Sequence, residues 1–187
     1  MIRKSIIFFY IKSRIYFFYF LSSIKNRKTL GASQPVLILG SGNVRFGKNI
    51  SFGYNPSPFL LTGYLHIEAR NKNSFISIGD NTFLNNNLII ICDKSYINIG
   101  NDVLIGYNVE IVDSDFHEIN PSKRNSGNHP CIGVNIGNNV FIGANVKILK
   151  GVNIGCNSVI AAGSIVTKSF DSNTLIAGNP AIQIKKI

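Results

Sequence analysis

Aliphatic residues recur at every sixth position over the C-terminal part of the chain. From residue 136 the sequence reads IGNNVF, IGANVK, ILKGVN, IGCNSV and IAAGSI, followed by VTK. The first positions of these units are Ile136, Ile142, Ile148, Ile154, Ile160 and Val166. A repeat of this length predicts an all-β solenoid, in which each aliphatic side chain points inward and stacks on its equivalent one coil away.

The fourth and fifth positions of each unit are also restricted. The fourth positions are Asn139, Asn145, Gly151, Asn157 and Gly163. Because positive φ costs little only for Gly, Asn and Asp, these residues are expected at corners of the coil. Strand alternation alone would not require Asn or Gly at every sixth residue. The fifth positions are small or β-branched, as expected for side chains that pack in the same cramped corner.

The same phase continues upstream with interruptions. Inward positions are predicted at Ile78, Leu84, Ile90, Ile99, Ile105 and Ile111, with a worn first coil at Phe46 and Phe52. The matching corners are Asn49, Asn55, Asn81, Asn87, Asp102 and Asn108. Since three units close one triangular turn, we expect roughly five to six coils.

Two segments break the repeat. Residues 54–75 form a ragged stretch that contains His66, and residues from about 113 to 135 form a long excursion loop. Binding and catalytic residues concentrate on loops that a rigid scaffold positions. We therefore expect the chemistry of this protein in the 113–135 loop.

The first 30 residues differ from the rest of the chain. They hold eight aromatic residues between Phe8 and Phe20. Lys12, Ser13 and Arg14 interrupt the apolar run, so it is too short for a transmembrane helix, and no small-x-small site marks a signal peptide. We predict a basic, aromatic, amphipathic helix over 1–30 and a β-helix domain with a short C-terminal tail over 31–187. Helical spacing along one side is kept by Ile6, Phe9, Tyr10, Phe17, Phe20, Leu21 and Ile24.

The charge distribution sets this segment apart as well. Seven of the 19 basic residues precede residue 29, and no acidic residue precedes Glu68, so the net charge of +10 belongs largely to one segment and not to a nucleic-acid surface. Such a segment either rests on the anionic inner leaflet of a membrane or packs on the body of its own oligomer. Cys92, Cys131 and Cys156 are odd in number and far apart, which favours reduced thiols in a cytoplasm over a disulfide framework.

From Ile78 to its end the chain resembles the hexapeptide acetyltransferases. The resemblance is carried by the repeats, by the histidine of the protruding DSDFHE segment and by the closing AGNPA. The most similar groups are the maltose, galactoside and nodulation-factor acetyltransferases and the O-acetyltransferases of capsule and lipopolysaccharide clusters. The resemblance implies a left-handed parallel β-helix, a homotrimer with active sites between subunits, and acetyl-CoA as the co-substrate.

By this resemblance His117 is the general base that accepts the proton of the attacking hydroxyl, a role that suits an imidazole near neutral pH. A carboxylate on the second ring nitrogen would orient the ring and stabilise the imidazolium, with Asp115 as the first candidate and Asp113 as the second. The alternative is a solvated loop histidine among solvated acids. Glu118 stands where sugar acetyltransferases often carry proline, which leaves the loop shape and the acceptor open.

The resemblance also assigns residues outside the loop. Asn85 matches an asparagine that orients the acceptor or the reacting centre, although it also fits a polar corner. Gly143, Ala144 and Ala162 would line the pantetheine groove, with the Gly143 amide as a candidate oxyanion donor. Thr167, Lys168 and Lys185 would meet the nucleotide phosphates. The alternative readings are repeat packing for the small residues and an ordinary surface position for Lys168.

The leading hypothesis is an acetyl-CoA-dependent O-acetyltransferase that acts directly on a sugar hydroxyl of a surface polysaccharide or its precursor. The alternatives are an N-acetyltransferase of an amino sugar nucleotide and a non-catalytic β-helix scaffold. No metal is expected, because His66, His117 and His129 lack the spacing of a three-histidine zinc site. We expect a cytoplasmic protein with a carbohydrate acceptor, no nucleic-acid partner, and peripheral contact of residues 1–30 with the inner face of the cytoplasmic membrane.

Overall fold

Residues 36–186 form a parallel β-helix built from three sheets, which confirms the predicted solenoid. The computed structural model describes residues 2–187 and the side chains from Lys4 onward. Met1 and the side chain of Arg3, which belong to the predicted N-terminal segment, lie outside this description. Eighteen strands, numbered in chain order, supply the sheets.

Each sheet takes every third strand of the helix. Sheet A contains β1 (Val36–Gly40), β4 (Leu65–Ala69), β7 (Ile89–Cys92), β10 (Glu110–Val112), β13 (Lys147–Ile148) and β16 (Ile165–Val166). Sheet B contains β2 (Asn43–Phe46), β5 (Phe75–Ile78), β8 (Tyr96–Ile99), β11 (Val134–Ile136) and β14 (Asn153–Ile154). Sheet C contains β3 (Ser51–Phe52), β6 (Phe83–Leu84), β9 (Leu104–Ile105), β12 (Phe141–Ile142), β15 (Val159–Ile160), β17 (Thr174–Gly178) and β18 (Ala181–Lys186). The pairing is parallel throughout except for the closing β17–β18 hairpin.

Successive coils stack with aliphatic side chains in register, so that each inward column is continuous. In sheet A, residues 38, 67, 90, 111, 148 and 166 pair in order from coil to coil. All six are aliphatic and at most 1% exposed. Six such coils form the core, at the upper end of the predicted range, and the hydrophobic effect acts along the whole length of the column.

The predicted corners adopt the left-handed backbone conformation, with one exception. Asn, Asp and Gly have positive φ at residues 49, 81, 87, 102, 108, 139, 145, 151, 157 and 163. Asparagine adds a hydrogen bond between coils, because Asn87 Nδ2 donates to Asn108 Oδ1 at 2.9 Å and Asn108 Nδ2 to Asn145 Oδ1 at 2.8 Å. The prediction for Asn55 is wrong, because the chain leaves the coil after Gly53 and its φ is not positive there.

The two interruptions differ from each other in size. The loop after β10 spans residues 113–133 and closely matches the predicted excursion. In the 54–75 stretch only residues 54–64 leave the helix. Residues 65–69 form the regular strand β4, which places His66 on the outer face of sheet A.

An α-helix and a 3₁₀ helix precede the first coil. Helix α1 spans Ile2–Leu21, and the 3₁₀ helix spans Arg27–Gly31. Ile11 and Ile15 are the buried side chains of α1, which packs beside β1. Of the predicted apolar side, Ile6, Phe9, Tyr10, Phe17, Phe20 and Leu21 are exposed, so the helix contacts the β-helix through a different face. Ile24, which follows the end of α1, is half-buried and packs against the core. Among the described residues, no helix combines the length and apolar character needed to cross a bilayer.

Candidate active site

Asp113 opens the protruding loop and is fully buried. Its Oδ1 accepts the Asp93 amide at 2.7 Å, and its Oδ2 accepts the amides of Lys94 at 3.2 Å and Ser95 at 2.8 Å. A carboxylate that receives three backbone N–H groups replaces the ladder that the turn at 93–95 cannot form. Asp113 therefore holds the coil beneath the loop.

The second acid lies on the other side of the loop base. Asp115 Oδ2 pairs with Lys150 Nζ at 2.5 Å, which ties the loop to the following coil. Ser114 and Cys131 form an antiparallel bridge that closes the loop at its neck. Within residues 2–187 neither Asp113 nor Asp115 hydrogen-bonds to His117, so the orienting contact predicted for these acids is not formed in the chain.

His117 is exposed near the start of the loop, four residues after Asp113, and a backbone carbonyl orients its ring. The Nδ1 atom lies 3.2 Å from the carbonyl oxygen of Arg124. A carbonyl can only accept, so this contact assigns the proton to Nδ1 and leaves Nε2 with a lone pair. That tautomer is the one a general base requires.

Arg70 connects the coil beneath to the residue that precedes His117. Its guanidinium lies 5.0 Å from the Phe116 ring centroid, and Phe116 has a φ of 62°, which is uncommon for a bulky residue. Arg70 Nε donates to Glu68 at 2.8 Å, and its Nη1 lies 3.7 Å from Asp93. The hydrogen bond with Arg70 lowers the pKa of Glu68, and the same bond raises the pKa of Arg70. The contact joins residues 46 positions apart, so no local sequence signal identified Arg70.

A group of potential metal ligands lies at the loop base beside Arg70. Polar atoms of Asp93, His129 and Cys131 fall within 4.8 Å of one another, and His129 Nε2 lies 2.5 Å from Asp93 Oδ2. Burial raises the pKa of Cys131. Arg70 and His129 both lie against the Asp93 carboxylate, so these contacts join the loop base to the coil beneath.

Asn85 and the residues predicted for the pantetheine groove lie at the corner between sheets C and A. Asn85 follows β6, Gly143 and Ala144 follow β12, and Ala162 follows β15. A Cβ on Gly143 would lie 2.5 Å from the Ala162 backbone nitrogen, so close stacking of the coils requires glycine there. The Gly143 N–H donates to the Ile160 carbonyl at 2.8 Å, so the predicted oxyanion role of this amide is wrong.

Asn85 borders a shallow groove on the outside of sheet C. The groove has a volume of about 330 Å³ and is lined by Phe83, Asn85, Leu104, Ile105, Gly106 and Phe141. Asn85 Oδ1 accepts the Asn86 amide at 2.7 Å, and its Nδ2 makes no hydrogen bond within the described part of the chain. The neighbouring Asn86 is buried and hydrogen-bonds to the backbone of residues 54–58, so it stabilises that segment.

The predicted site residues form two groups on opposite sides of sheet A. His117, Thr167 and Lys168 lie at the corner between sheets A and B, where Thr167 and Lys168 are exposed. Asn85, Gly143, Ala144 and Ala162 lie at the corner between sheets C and A. Lys185 is exposed on β18 of the closing hairpin. One chain does not bring the two groups together.

Comparison with known proteins gives consistent matches. A family model described as "hexapeptide repeat of succinyl-transferase" matches residues 133–168. The chain is 44% identical over 114 residues to the galactoside O-acetyltransferase of Escherichia coli K12, covering 61% of this chain and 55% of that one. It is 33% identical over 160 residues, 81% of this chain and 76% of the other, to an E. coli K12 protein named "putative lipopolysaccharide biosynthesis O-acetyl transferase".

The structural match agrees with these sequences. A galactoside acetyltransferase solved in complex with coenzyme A superposes with a TM-score of 0.65 and 30% identity, over 94% of this chain and 78% of that chain. Four curated relatives are matched over 53–57% of their own length, so the chain spans about half of each.

Proposed function

The chain belongs to the hexapeptide-repeat acetyltransferases, which are left-handed β-helix proteins, and we propose on this premise that it transfers an acetyl group from acetyl-CoA to a carbohydrate hydroxyl. The observation that carries the proposal is the ring of His117. It is exposed on a loop whose base is tied down at several points, with Nδ1 held by the Arg124 carbonyl and Nε2 left to accept a proton.

The reaction is a direct transfer in a ternary complex. His117 Nε2 takes the hydroxyl proton while the oxygen attacks the thioester carbonyl, so that a C–O bond forms as the C–S bond breaks. The proton then passes to the departing CoA sulfur. A covalent acetyl-cysteine step is disfavoured, because burial raises the pKa of Cys131 and raises that of Cys92 to about 12.

Assembly completes the site. The two groups of site residues lie on either side of sheet A, so a base and a donor groove can meet only if different subunits supply them. The outer face of sheet C offers a surface for this contact, since Leu104 and Phe141 are 51% and 48% exposed. The outer face of sheet B is polar, with Asn98, Asn135 and Asn153 joined in a hydrogen-bonded ladder. We propose a homotrimer in which the face of sheet C packs on the neighbouring subunit.

The acceptor proposed is a sugar hydroxyl of a surface polysaccharide or its precursor. Support comes from the relatives, which are named for galactoside and lipopolysaccharide acetylation. Asn85 Nδ2, which donates no hydrogen bond among the described residues, lies beside the sheet C groove and suits contact with a sugar or with the thioester carbonyl. Since acetyl-CoA is the donor, we place the reaction in the cytoplasm.

The proposal is tested by supplying acetyl-CoA to the purified protein with a panel of sugars and their matched amino sugars. Release of CoA and the mass of the product are measured together. Acetylation of a hydroxyl is the expected result. Acetylation confined to amines would support the N-acetyltransferase alternative, while failure to bind acetyl-CoA would support a scaffold and remove the proposed function.

A further inference from the structure

Helix α1 carries a continuous apolar strip that faces away from the body. Ile6, Phe9, Tyr16, Phe17 and Phe20 are 63%, 70%, 60%, 57% and 78% exposed. At 100° per residue they fall on one side of the helix, opposite the buried Ile11 and Ile15. No charged residue lies within this strip. Exposed apolar surface of this extent marks a contact with another surface.

Hydrogen bonds fix α1 against the β-helix and the 54–64 segment, so the strip faces outward in one orientation. Arg14 donates to the carbonyl oxygens of Leu61 at 2.7 Å, Thr62 at 3.2 Å and Gly63 at 2.8 Å. At the other end of the helix, Ser22 Oγ accepts the Ile38 amide of β1 at 3.0 Å. Both contacts lie on the side of the helix away from the strip.

Lys12 lies beside the strip and Lys4 lies on the opposite side of the helix, and both border a groove under the N-terminal half of α1. The groove has a volume of about 640 Å³ and an apolar floor that includes Ile7, Phe8 and Leu61, with Lys4 and Lys12 among its lining residues. Arg14, Lys25 and Lys28 instead bind backbone carbonyls of the chain itself. Lys12 Nζ lies 5.9 Å from the Phe8 ring centroid, and among the described residues neither Lys4 nor Lys12 forms an ion pair. No acidic residue occurs before Glu68.

We infer that α1 docks on an anionic phospholipid bilayer. The strip enters the boundary between headgroups and acyl chains, while Lys12 beside the strip binds a lipid phosphate. Charge decides between a bilayer and a second copy of the chain. A second copy of this basic, acid-free helix would repel it, whereas an anionic leaflet attracts it. The inference concerns location and does not depend on acetyl transfer.

The test is co-sedimentation of the full chain with vesicles of phosphatidylcholine alone and of phosphatidylcholine mixed with phosphatidylglycerol. Binding is expected only to the anionic vesicles and should weaken as salt is added. Lys12→Gln should lower the partition coefficient about 5-fold. Phe9→Ser with Phe20→Ser should lower it roughly 100-fold. Matched controls are Lys48→Gln, and Ile182→Ser with Ile187→Ser, which change an exposed lysine or exposed isoleucines elsewhere and should bind as the parent does.

Each result decides the matter. Equal binding of the strip variants and their controls would overturn the inference, as would indifference of the parent protein to anionic vesicles. If the strip variants instead change the oligomeric state seen by light scattering while no vesicle binds, a second copy covers the strip. Inhibition of vesicle binding by free phosphate alone, without dependence on the apolar strip, would reduce the site to an anion contact and would also overturn it.

Discussion

A neutral carbonyl supports the His117 ring where acyl-transfer sites often use a carboxylate. The Arg124 carbonyl selects the tautomer as a carboxylate would, but it carries no full charge to stabilise the imidazolium. The two nearby acids are committed elsewhere, Asp113 to three backbone amides and Asp115 to Lys150. Orientation of the proposed base therefore comes from the fold of the loop itself.

His117→Ala should lower kcat by roughly two to four orders of magnitude, the usual range for loss of a general base. The side chain is exposed, so melting temperature and acetyl-CoA affinity should stay near those of the parent protein. Steady-state kinetics and isothermal titration measure these quantities. Ile119→Ala, which removes an 80% exposed side chain from the same loop, is the control. Near-parental turnover in the His117 variant would exclude this residue from the mechanism.

Asp113→Asn separates structural support from orientation of the base. The amide can accept from only one of its two atoms, and its NH₂ would face a backbone donor. The free energy of unfolding should fall by about 1–3 kcal/mol. Denaturant unfolding of Asp113→Asn and Asp115→Asn checks this, with a smaller loss for the exposed Asp115. A large loss of kcat with unchanged stability for either variant would instead restore the orienting role.

At the scale of elements, the excursion loop is fastened to the helix at three levels. Asp113 binds the coil beneath, Asp115 binds the coil above, and the guanidinium of Arg70 stacks on Phe116 beside the base. The loop thus has a rigid neck even though its tip, residues 117–128, is almost entirely exposed. Such bracing places a catalytic side chain more reproducibly than an unsupported loop could.

Arg70→Gln should therefore lower kcat on the order of 10- to 100-fold by loosening Phe116 and misplacing His117, while acetyl-CoA affinity changes little. Arg70 is a positioning residue, so the effect should appear in kcat and be partly restored in Arg70→Lys, which keeps the charge. Arg45→Gln is a matched control, because Arg45 stacks on Phe75 at 5.3 Å but on sheet B. A change confined to melting temperature would show that Arg70 supports only the fold.

At the scale of the whole molecule, the three faces of the helix differ in character. Sheet C exposes Leu104 and Phe141, sheet B exposes an asparagine ladder, and sheet A separates the two groups of site residues. On the proposed function, a single subunit therefore offers the proposed base at one corner and the proposed donor groove at another. In the proposed trimer, closed cyclic assembly buries the apolar face of sheet C and brings the two corners of neighbouring subunits together.

Phe141→Glu should convert the proposed trimer to monomers and abolish turnover, because burial of an unpaired carboxylate in an interface costs several kcal/mol. Light scattering and the acetyl-transfer assay are the measurements. Asn153→Glu places the same charge on an exposed strand residue of sheet B and should leave assembly intact. An active monomer of the parent protein would contradict the shared site.

The sequence by itself determined the β-helix, its six-residue period, nearly all of its corners and the position of the excursion loop. These features are local, because an inward position needs an aliphatic side chain and a corner needs a residue that tolerates positive φ. The inward and corner positions of each coil can therefore be identified from its own sequence. The predicted corner at Asn55 was wrong, because an asparagine at the expected spacing does not show whether the chain is still in the coil.

Tertiary structure alone decided which groups are free to act. The burial of Asp113 beneath three amides, the use of the Gly143 N–H in the coil ladder and the stacking of Arg70 on Phe116 all join residues distant in sequence. The face by which α1 meets the body was settled in the same way. An apolar pattern identifies a side suited to burial, but the shape of the opposing surface selected Ile11 and Ile15 and left the predicted face exposed.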